Sequence, residues 1–311
     1  MNYIITAAGK GTRLINSGIK PPKPLVLVDG LELLIWSLNS FTYKDKDKIF
    51  IVTLKNDRVK YFLSSKLQNL FPNILINWLE LDSPTDGQLI TAINAINHFS
   101  IKGKIIIHNC DTTYSLNNNL NEINSSHLGA IPYFYSEGEN WSFIRTKNNS
   151  NLISEVKEKE RISSKCSVGT YYFRDSDEFI EISKKYFESK NKNIHKEFYI
   201  APIYQFAINL GMSIYSIEVT NVKVFGKLEE ICKSFKKSSI EILSENDFSA
   251  HQRKTLVVDI DGTICNAPIN NEYAKCEPIK KVCSRLKEEH SNGTYIILYT
   301  SRNMRSFRGN I

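Results

Sequence analysis

The chain opens on Tyr3-Ile4-Ile5-Thr6 and runs into Ala7-Ala8-Gly9-Lys10-Gly11-Thr12-Arg13-Leu14, with Pro22-Lys23-Pro24-Leu25 close behind. The short apolar run Tyr3 to Ile5 reads as a buried strand. The loop after it is built of small residues around two cations. Gly9 and Gly11 lack a Cβ, so the backbone can turn tightly and bring its N–H groups against a phosphate chain. Arg13 can grip phosphate oxygens bidentately, and Lys10 adds a point charge. A lone Gly-x-Gly also suits an ordinary strand-to-helix turn. Lys23 adds a second element: set between two prolines, it sits on a stiff, extended segment.

With 311 residues, the chain has room for one large domain or two ordinary ones, and its 41% hydrophobic content is that of a globular protein. The formal charge of +7 is spread along the chain and fits an anionic substrate or a solvated surface. No basic helix or zinc-finger spacing points to nucleic acid. The six cysteines (110, 166, 232, 265, 276 and 283) contain no C-x-x-C pair. With no signal peptide in view, reduced thiols in a cytoplasm are expected. No apolar run is long enough for membrane insertion.

Residues 1 to 235 alternate strand-like and helix-like segments, which predicts an α/β fold with a mixed, mostly parallel sheet. Helical spacing covers Leu31 to Phe41 and Asp57 to Leu70. Lys48 to Thr53 and Ile74 to Leu79 read as strands. Ser83-Pro84-Thr85-Asp86-Gly87-Gln88 frames a tight loop opening a helix over Leu89 to Ile96. Such a loop suits a phosphate or nucleobase and equally an ordinary helix start. Lys104 to Asp111 is a fourth strand whose apolar stem ends in a carboxylate. Ligands bind at the carboxyl ends of parallel strands, and a carboxylate there can hold Mg²⁺ or cap the next turn. Further strands are expected at Gly129 to Tyr135, Trp141 to Arg145, Val168 to Phe173 and Met212 to Val219, with an amphipathic helix over Asp175 to Lys190.

Ala8-Gly-Lys-Gly-Thr-Arg-Leu14 with Pro22-Lys23-Pro24-Leu25 resembles the opening of the nucleotidyltransferases that make sugar-nucleotides and their relatives. The resemblance implies a Rossmann-like fold in which residues 7–12 and Arg13 wrap an NTP triphosphate and Lys23 contacts phosphate. It makes Thr85, Gly87 and Gln88 base contacts, and Asp111 the ligand of a Mg²⁺ cofactor. Val156-Lys-Glu158-Lys159 and Gly169-Thr-Tyr171-Tyr-Phe173 stand where relatives bind the second substrate, Glu158 taking hydroxyls and Lys159 the phosphate. As bare sequence, residues 155–161 are also a solvated charge run. Glu197-Phe-Tyr199 resembles an element bordering the acceptor pocket, and equally suits a packed strand or helix start. One departure stands out. Many relatives carry W-x-D-x-G-T late in the domain, and its Asp is a second metal ligand. Here Val222-Lys-Val-Phe-Gly226-Lys-Leu-Glu-Glu230 keeps the glycine and lacks that carboxylate.

Residues 236–253 read as a linker. Lys254-Thr-Leu-Val-Val-Asp259-Ile-Asp261-Gly262-Thr263 then resembles the haloacid dehalogenase (HAD) superfamily, with Asp259 as nucleophile, Asp261 as general acid/base and Thr300 as phosphate contact. The later lysine and acidic pair of that family do not appear before Ile311, so residues 254–311 are expected to be the truncated, inactive N-terminal part of a capsule-type phosphatase. The whole points to an enzyme joining an NTP, CTP favoured, to a phosphorylated small-molecule acceptor for capsule or surface polysaccharide. Rivals are a phosphatase with a nucleotide-binding N-terminal domain and a non-catalytic binding protein. A homo-oligomer is compatible with this sequence but not indicated by it.

Overall fold

The computed structural model describes residues 1–19, 21–116, 126–148, 150–189, 197–235, 255–269, 272–292 and 294–300. The chain divides into two compact units, Met1–Glu241 and Ile242–Ile311. The expected linker, 236–253, lies outside the described residues.

In the first unit the elements run β1 (Asn2–Ala7), α1 (Thr12–Asn16), a 3₁₀ turn (Lys23–Leu25), β2 (Leu27–Val28), β3 (Leu31–Glu32), α2 (Leu33–Leu38), β4 (Lys48–Leu54), α3 (Val59–Leu70), β5 (Leu75–Leu81) and α4 (Gln88–Phe99). They continue with β6 (Ile105–Asn109), β7 (Thr112–Ser115), β8 (Gly129–Tyr135), β9 (Ser142–Thr146), β10 (Ile153–Glu158), β11 (Lys165–Ser167) and β12 (Thr170–Phe173). Then come α5 (Ser176–Ser189), α6 (Ala201–Asn209), β13 (Ile214–Glu218), β14 (Thr220–Val224) and α7 (Leu228–Ser234). The helix expected over Leu31 to Phe41 spans Leu33–Leu38; it starts later because Leu31–Glu32 pairs with Leu27–Val28 in a short hairpin.

A mixed ten-stranded sheet forms the centre, in the order β10-β9-β11-β8-β12-β6-β1-β4-β5, with β13 also paired to β8. The half carrying the glycine loop is parallel: β1 lies between β4 and β6, and β5 adds beside β4. From β8 onward the strands of the main order pair antiparallel. The connections there are short and carry no crossover helix, whereas parallel neighbours require one.

Period-two alternation sends successive residues of β1 to opposite faces. Ile4 packs with Leu89, Ala92 and Ile96 of α4 on one face. Tyr3 and Ile5 pack with Leu34 and Ile35 of α2 and Leu63 of α3 on the other. A third, smaller apolar cluster joins Leu14, Val26, Val28, Leu33, Phe225, Ile231 and Phe235. It pins the glycine-loop helix, the Pro-Lys-Pro turn and α7 together at the carboxyl edge of the parallel strands. Among the described residues, no helix is long and apolar enough to cross a membrane.

His108 is fully buried in β6, with Nδ1 2.7 Å from Thr170 Oγ1. Burial drives its pKa down to about 3. The unfolded chain takes up a proton near pH 6.5 that the folded chain refuses until about pH 3. This group's contribution to stability is therefore complete above pH 6.5 and is lost as pH falls toward 3. Urea unfolding between pH 6.5 and 4 should show a component of about 1.4 kcal/mol per pH unit that is missing in His108→Gln.

Candidate functional site

The register of the parallel strands sets up the site. Thr6 in β1 lies beside Asn109 in β6, so the loop after β1 and the turn after β6 leave the sheet side by side. Asp111 stands in that turn, just past the strand end that the sequence assigned to it. Lys23 Nζ is in direct contact with Asp111 Oδ1, and Arg13 Nη2 is 3.5 Å from Asp111 Oδ2. The three residues expected to carry the chemistry thus meet.

The two cations differ in setting. The Lys23 side chain is only 12% exposed, while that of Arg13 is 57% exposed. Burial pulls the Lys23 ammonium down to about 8, the Arg13 charge adds to the effect, and the Glu230 charge opposes it. Lys23 is therefore a fixed charge in the wall, and Arg13 a reaching one. Gly11 (φ 62) comes so close to Lys23 that a Cβ on it would lie 3.4 Å from the Lys23 Cβ. The glycine loop and the Pro-Lys-Pro turn are packed neighbours. Ala7 and Ala8 are buried beneath the loop, while Gly9, Lys10 and Thr12 are exposed on it.

Asp111 is held from behind by Asn109, a position not singled out in the sequence. Asn109 Oδ1 accepts hydrogen bonds from the Asp111 amide (3.3 Å) and from Thr112 Oγ1 (2.9 Å). Gly169 closes on Asn109 so tightly that a Cβ would lie 2.0 Å from Asn109 Nδ2. Gly169 therefore serves as the wall behind Asp111, and it meets Gln88 through its carbonyl, which accepts from Gln88 Nε2 at 3.4 Å.

The Thr85–Gln88 loop lies beside β1. Gln88 Nε2 also donates to Thr6 Oγ1 (3.2 Å), and Thr85 Oγ1 donates to the Gly87 carbonyl (3.1 Å). Gly87 (φ 120) has no room for a side chain: a Cβ would lie 2.4 Å from the Phe198 carbonyl oxygen. That contact straps the loop to the Glu197–Tyr199 segment, with the Phe198 amide bonded to the Asp86 carbonyl and the Leu89 amide to the Phe198 carbonyl.

The residues expected around an acceptor do assemble. Ser142 Oγ donates to Glu158, and lies 3.2 Å from the Tyr171 hydroxyl. Burial raises the Glu158 pKa against the lowering effects of Ser142 and Lys159. Lys159 (φ 55) donates to the Tyr199 hydroxyl and rides 4.4 Å over the Tyr199 ring, a cation–π contact. Tyr199 in turn donates to Glu197. Arg13 lies close enough for its charge to oppose the rise in the Tyr199 pKa, whose largest cause is burial.

The C-terminal edge of the first unit is tied to Asp111 by backbone. β14 pairs with β7 through Val224 and Thr112, and the Phe225 amide donates to the Asp111 carbonyl at 2.8 Å. This brings Gly226 and Glu230 to the site; the sequence signal for Glu230, a carboxylate four residues past the retained glycine in the first turn of a helix, was weak. Among the described residues no group of three or more His, Cys, Asp or Glu gathers in a metal-binding cluster. Asp111 is a single accessible carboxylate beside a buried carboxylate oxygen of Glu230 that has no hydrogen-bond partner. That donor set fits a hard cation whose remaining ligands are water and phosphate oxygens.

In the second unit, β15 (Thr255–Asp259) and β16 (Tyr295–Tyr299) pair in parallel. Asp259 and Thr300 follow at adjacent strand ends, and Thr300 Oγ1 donates to Asp261 Oδ2 at 3.2 Å. Asp259 Oδ1 accepts from the Ile260 amide at 2.9 Å.

No protein-family model matches the chain. Over 233 residues it is 24% identical to the bifunctional protein GlmU of Buchnera aphidicola subsp. Schizaphis graminum, covering 72% of this chain and 47% of that protein. The chain therefore spans about half the length of that curated relative. Its fold superposes on the nucleoside-diphosphate-sugar pyrophosphorylase of Vibrio cholerae RC9 with a TM-score of 0.68 and 25% identity, over 76% of this chain and 100% of that one. It also superposes on the inositol-1-phosphate CTP transferase of T. maritima with a TM-score of 0.57 and 14% identity, over 76% and 96% of the two chains. The sheet is that of the nucleotidyltransferases, and the chain is similar to those of the sugar-nucleotide pyrophosphorylase type.

Gly169→Ala should cost about 2 kcal/mol in urea unfolding, because it combines a positive φ with a clash against Asn109. Gly9→Ala, where a Cβ meets no atom within 4 Å, should stay within about 0.5 kcal/mol of the parent chain.

Proposed function

We propose that residues 1–235 transfer a nucleotidyl group from an NTP to the phosphate of a small acceptor, releasing pyrophosphate. The observation that carries this is the convergence of Arg13 and Lys23 on Asp111 beside the glycine loop. An oxygen of the acceptor phosphate attacks the α-phosphorus. The bond from that phosphorus to the bridging oxygen of the β-phosphate breaks, and pyrophosphate leaves with the electron pair.

No covalent nucleophile of the protein is needed; position and charge suffice. The loop 8–13 cradles the triphosphate, with Arg13 reaching its oxygens. Lys23 supplies a buried positive charge that needs no reorganisation as charge moves toward the leaving group. Thr85, Gly87 and Gln88 border the base. Glu158 orients acceptor hydroxyls, while Lys159, held over Tyr199, meets the acceptor phosphate. Asp111 would hold Mg²⁺, which when bound neutralises phosphate charge and polarises the α-phosphoryl group.

CTP is the favoured donor and a sugar 1-phosphate or phosphorylated alcohol the acceptor, in supply of capsule or surface-polysaccharide precursors. Both follow from the sequence resemblance, and the transferase of T. maritima uses CTP by name. A second reading concerns residues 254–311 as the start of a HAD-type phosphatase. It is favoured by the Thr300–Asp261 contact at the ends of two parallel strands.

Pyrophosphate release with Mg²⁺ should occur with CTP in a panel with UTP, dTTP, GTP and ATP, offered with pooled phosphorylated sugars, polyols and amino alcohols. Asp111→Asn and Lys23→Ala should each lower the rate by about a hundredfold or more. No turnover together with no nucleotide-induced rise in Tm would sink the transferase. Phosphate release from p-nitrophenyl phosphate that is lost in Asp259→Asn would establish the phosphatase.

A further inference from the structure

The late segment 222–230 lacks the carboxylate that many sequence relatives carry two residues before the glycine, yet a carboxylate reaches the site from elsewhere. From the bare face of Gly226, the position a Cβ would take lies 3.1 Å from Glu230 Oε2, 3.4 Å from Asp111 Oδ2 and 3.5 Å from Arg13 Nη1. Two carboxylates from segments far apart in sequence therefore point at one small volume, with Gly226 as its floor.

Glu230 Oε2 is buried and accepts no hydrogen bond. Burying an unpaired carboxylate oxygen is costly, and such groups survive where a cation or ligand takes them up. Lys23 already touches Asp111 Oδ1, and Arg13 approaches Asp111 Oδ2. The Glu230 charge does reach Lys23, where it opposes the effect of burial.

The placement of Glu230 is rigid. Its neighbour Ile231 is buried in the cluster with Leu14, Val26 and Phe235, which fixes the first turn of α7. Upstream, the Phe225 amide is bonded to the Asp111 carbonyl. Glu229, one residue earlier, is exposed.

We infer that Glu230 is a second protein ligand of the divalent cation held by Asp111, delivered from the first turn of α7 in place of the missing strand-end carboxylate. Two acidic oxygen donors and several water or phosphate oxygens suit Mg²⁺ or Mn²⁺. The inference rests on the transferase reading for its meaning in catalysis, but its test does not.

Mn²⁺ alone, titrated into the full chain and followed by the loss of the free-ion EPR signal, is the probe. The parent chain should bind Mn²⁺. Glu230→Gln and Asp111→Asn should each weaken binding about tenfold or more. Glu230→Asp should fall between the parent and Glu230→Gln, and Glu229→Gln should match the parent. Glu230→Gln keeps the size and shape of the side chain, so its metal-free Tm should stay close to that of the parent, while the Tm rise on adding Mn²⁺ disappears. Parent-like Mn²⁺ affinity in Glu230→Gln, or no Mn²⁺ binding by the parent chain, overturns the inference. If Mn²⁺ binding depends on Glu230 but no NTP and acceptor pair releases pyrophosphate, the transferase reading fails and the cation site stands. If pyrophosphate is released while Glu230→Gln binds Mn²⁺ normally, the reverse holds.

Discussion

The contact between Lys23 and Asp111 organises the site. A lysine ammonium that is almost fully buried needs a carboxylate in reach, and Asp111 is where the sheet can supply one. Asp111 is there because β6 lies parallel and adjacent to β1, so the turn after one strand faces the loop after the other. Lys23 is there because prolines on both sides fix its backbone and the third apolar cluster holds the turn down. Removing Asp111 would leave the mostly buried Lys23 ammonium without the carboxylate it touches.

That small cluster does more than fill space. Its members come from the glycine-loop helix, the turn after Pro22, the short hairpin that follows and the C-terminal helix α7. Each of the first, second and last carries a charged group at the site: Arg13, Lys23 and Glu230. A modest amount of apolar burial, from residues close in sequence to these groups, thereby fixes the relative positions of two cations and a carboxylate. The two large clusters on the faces of the sheet set the strands; this third one sets the chemistry.

On the acceptor side, order comes from polar contacts and close backbone approach. Gly87 and Gly169 each sit where a side chain would strike a neighbour, Phe198 in one case and Asn109 in the other. The missing side chain lets the Thr85–Gln88 loop press on the Glu197–Tyr199 segment, and lets Gly169 close on Asn109 at the end of β6. Lys159, Tyr199 and Glu197 then form a charged relay across the mouth of the site. A neutral phenol thus stands between an ammonium and a carboxylate, accepting from the first and donating to the second.

Local pattern alone specified the buried strand before Ala7, the tight loop at Gly9 and Gly11, the stiffened Lys23 and the apolar stem that ends near Asp111. Each of these depends on residue type and spacing over a few positions, which is what a sequence carries directly. The antiparallel half of the sheet was less legible, since strand alternation says nothing of direction and only the short connections decide it. Asn109 and Glu230 were not legible as site residues, because an Asn in a turn and a Glu in a first helical turn are ordinary there. Asn109 joins the site through its bonds to the Asp111 amide and Thr112 and the close approach of Gly169, and Glu230 through the pairing of β7 with β14 and the packing of Ile231 and Phe235. The sequence by itself determined the glycine loop, the stiff Pro-Lys-Pro turn and the strand that leads to Asp111, and the tertiary structure decided which carboxylates stand beside them, because that choice is made by the core that folds distant segments onto one edge of the sheet.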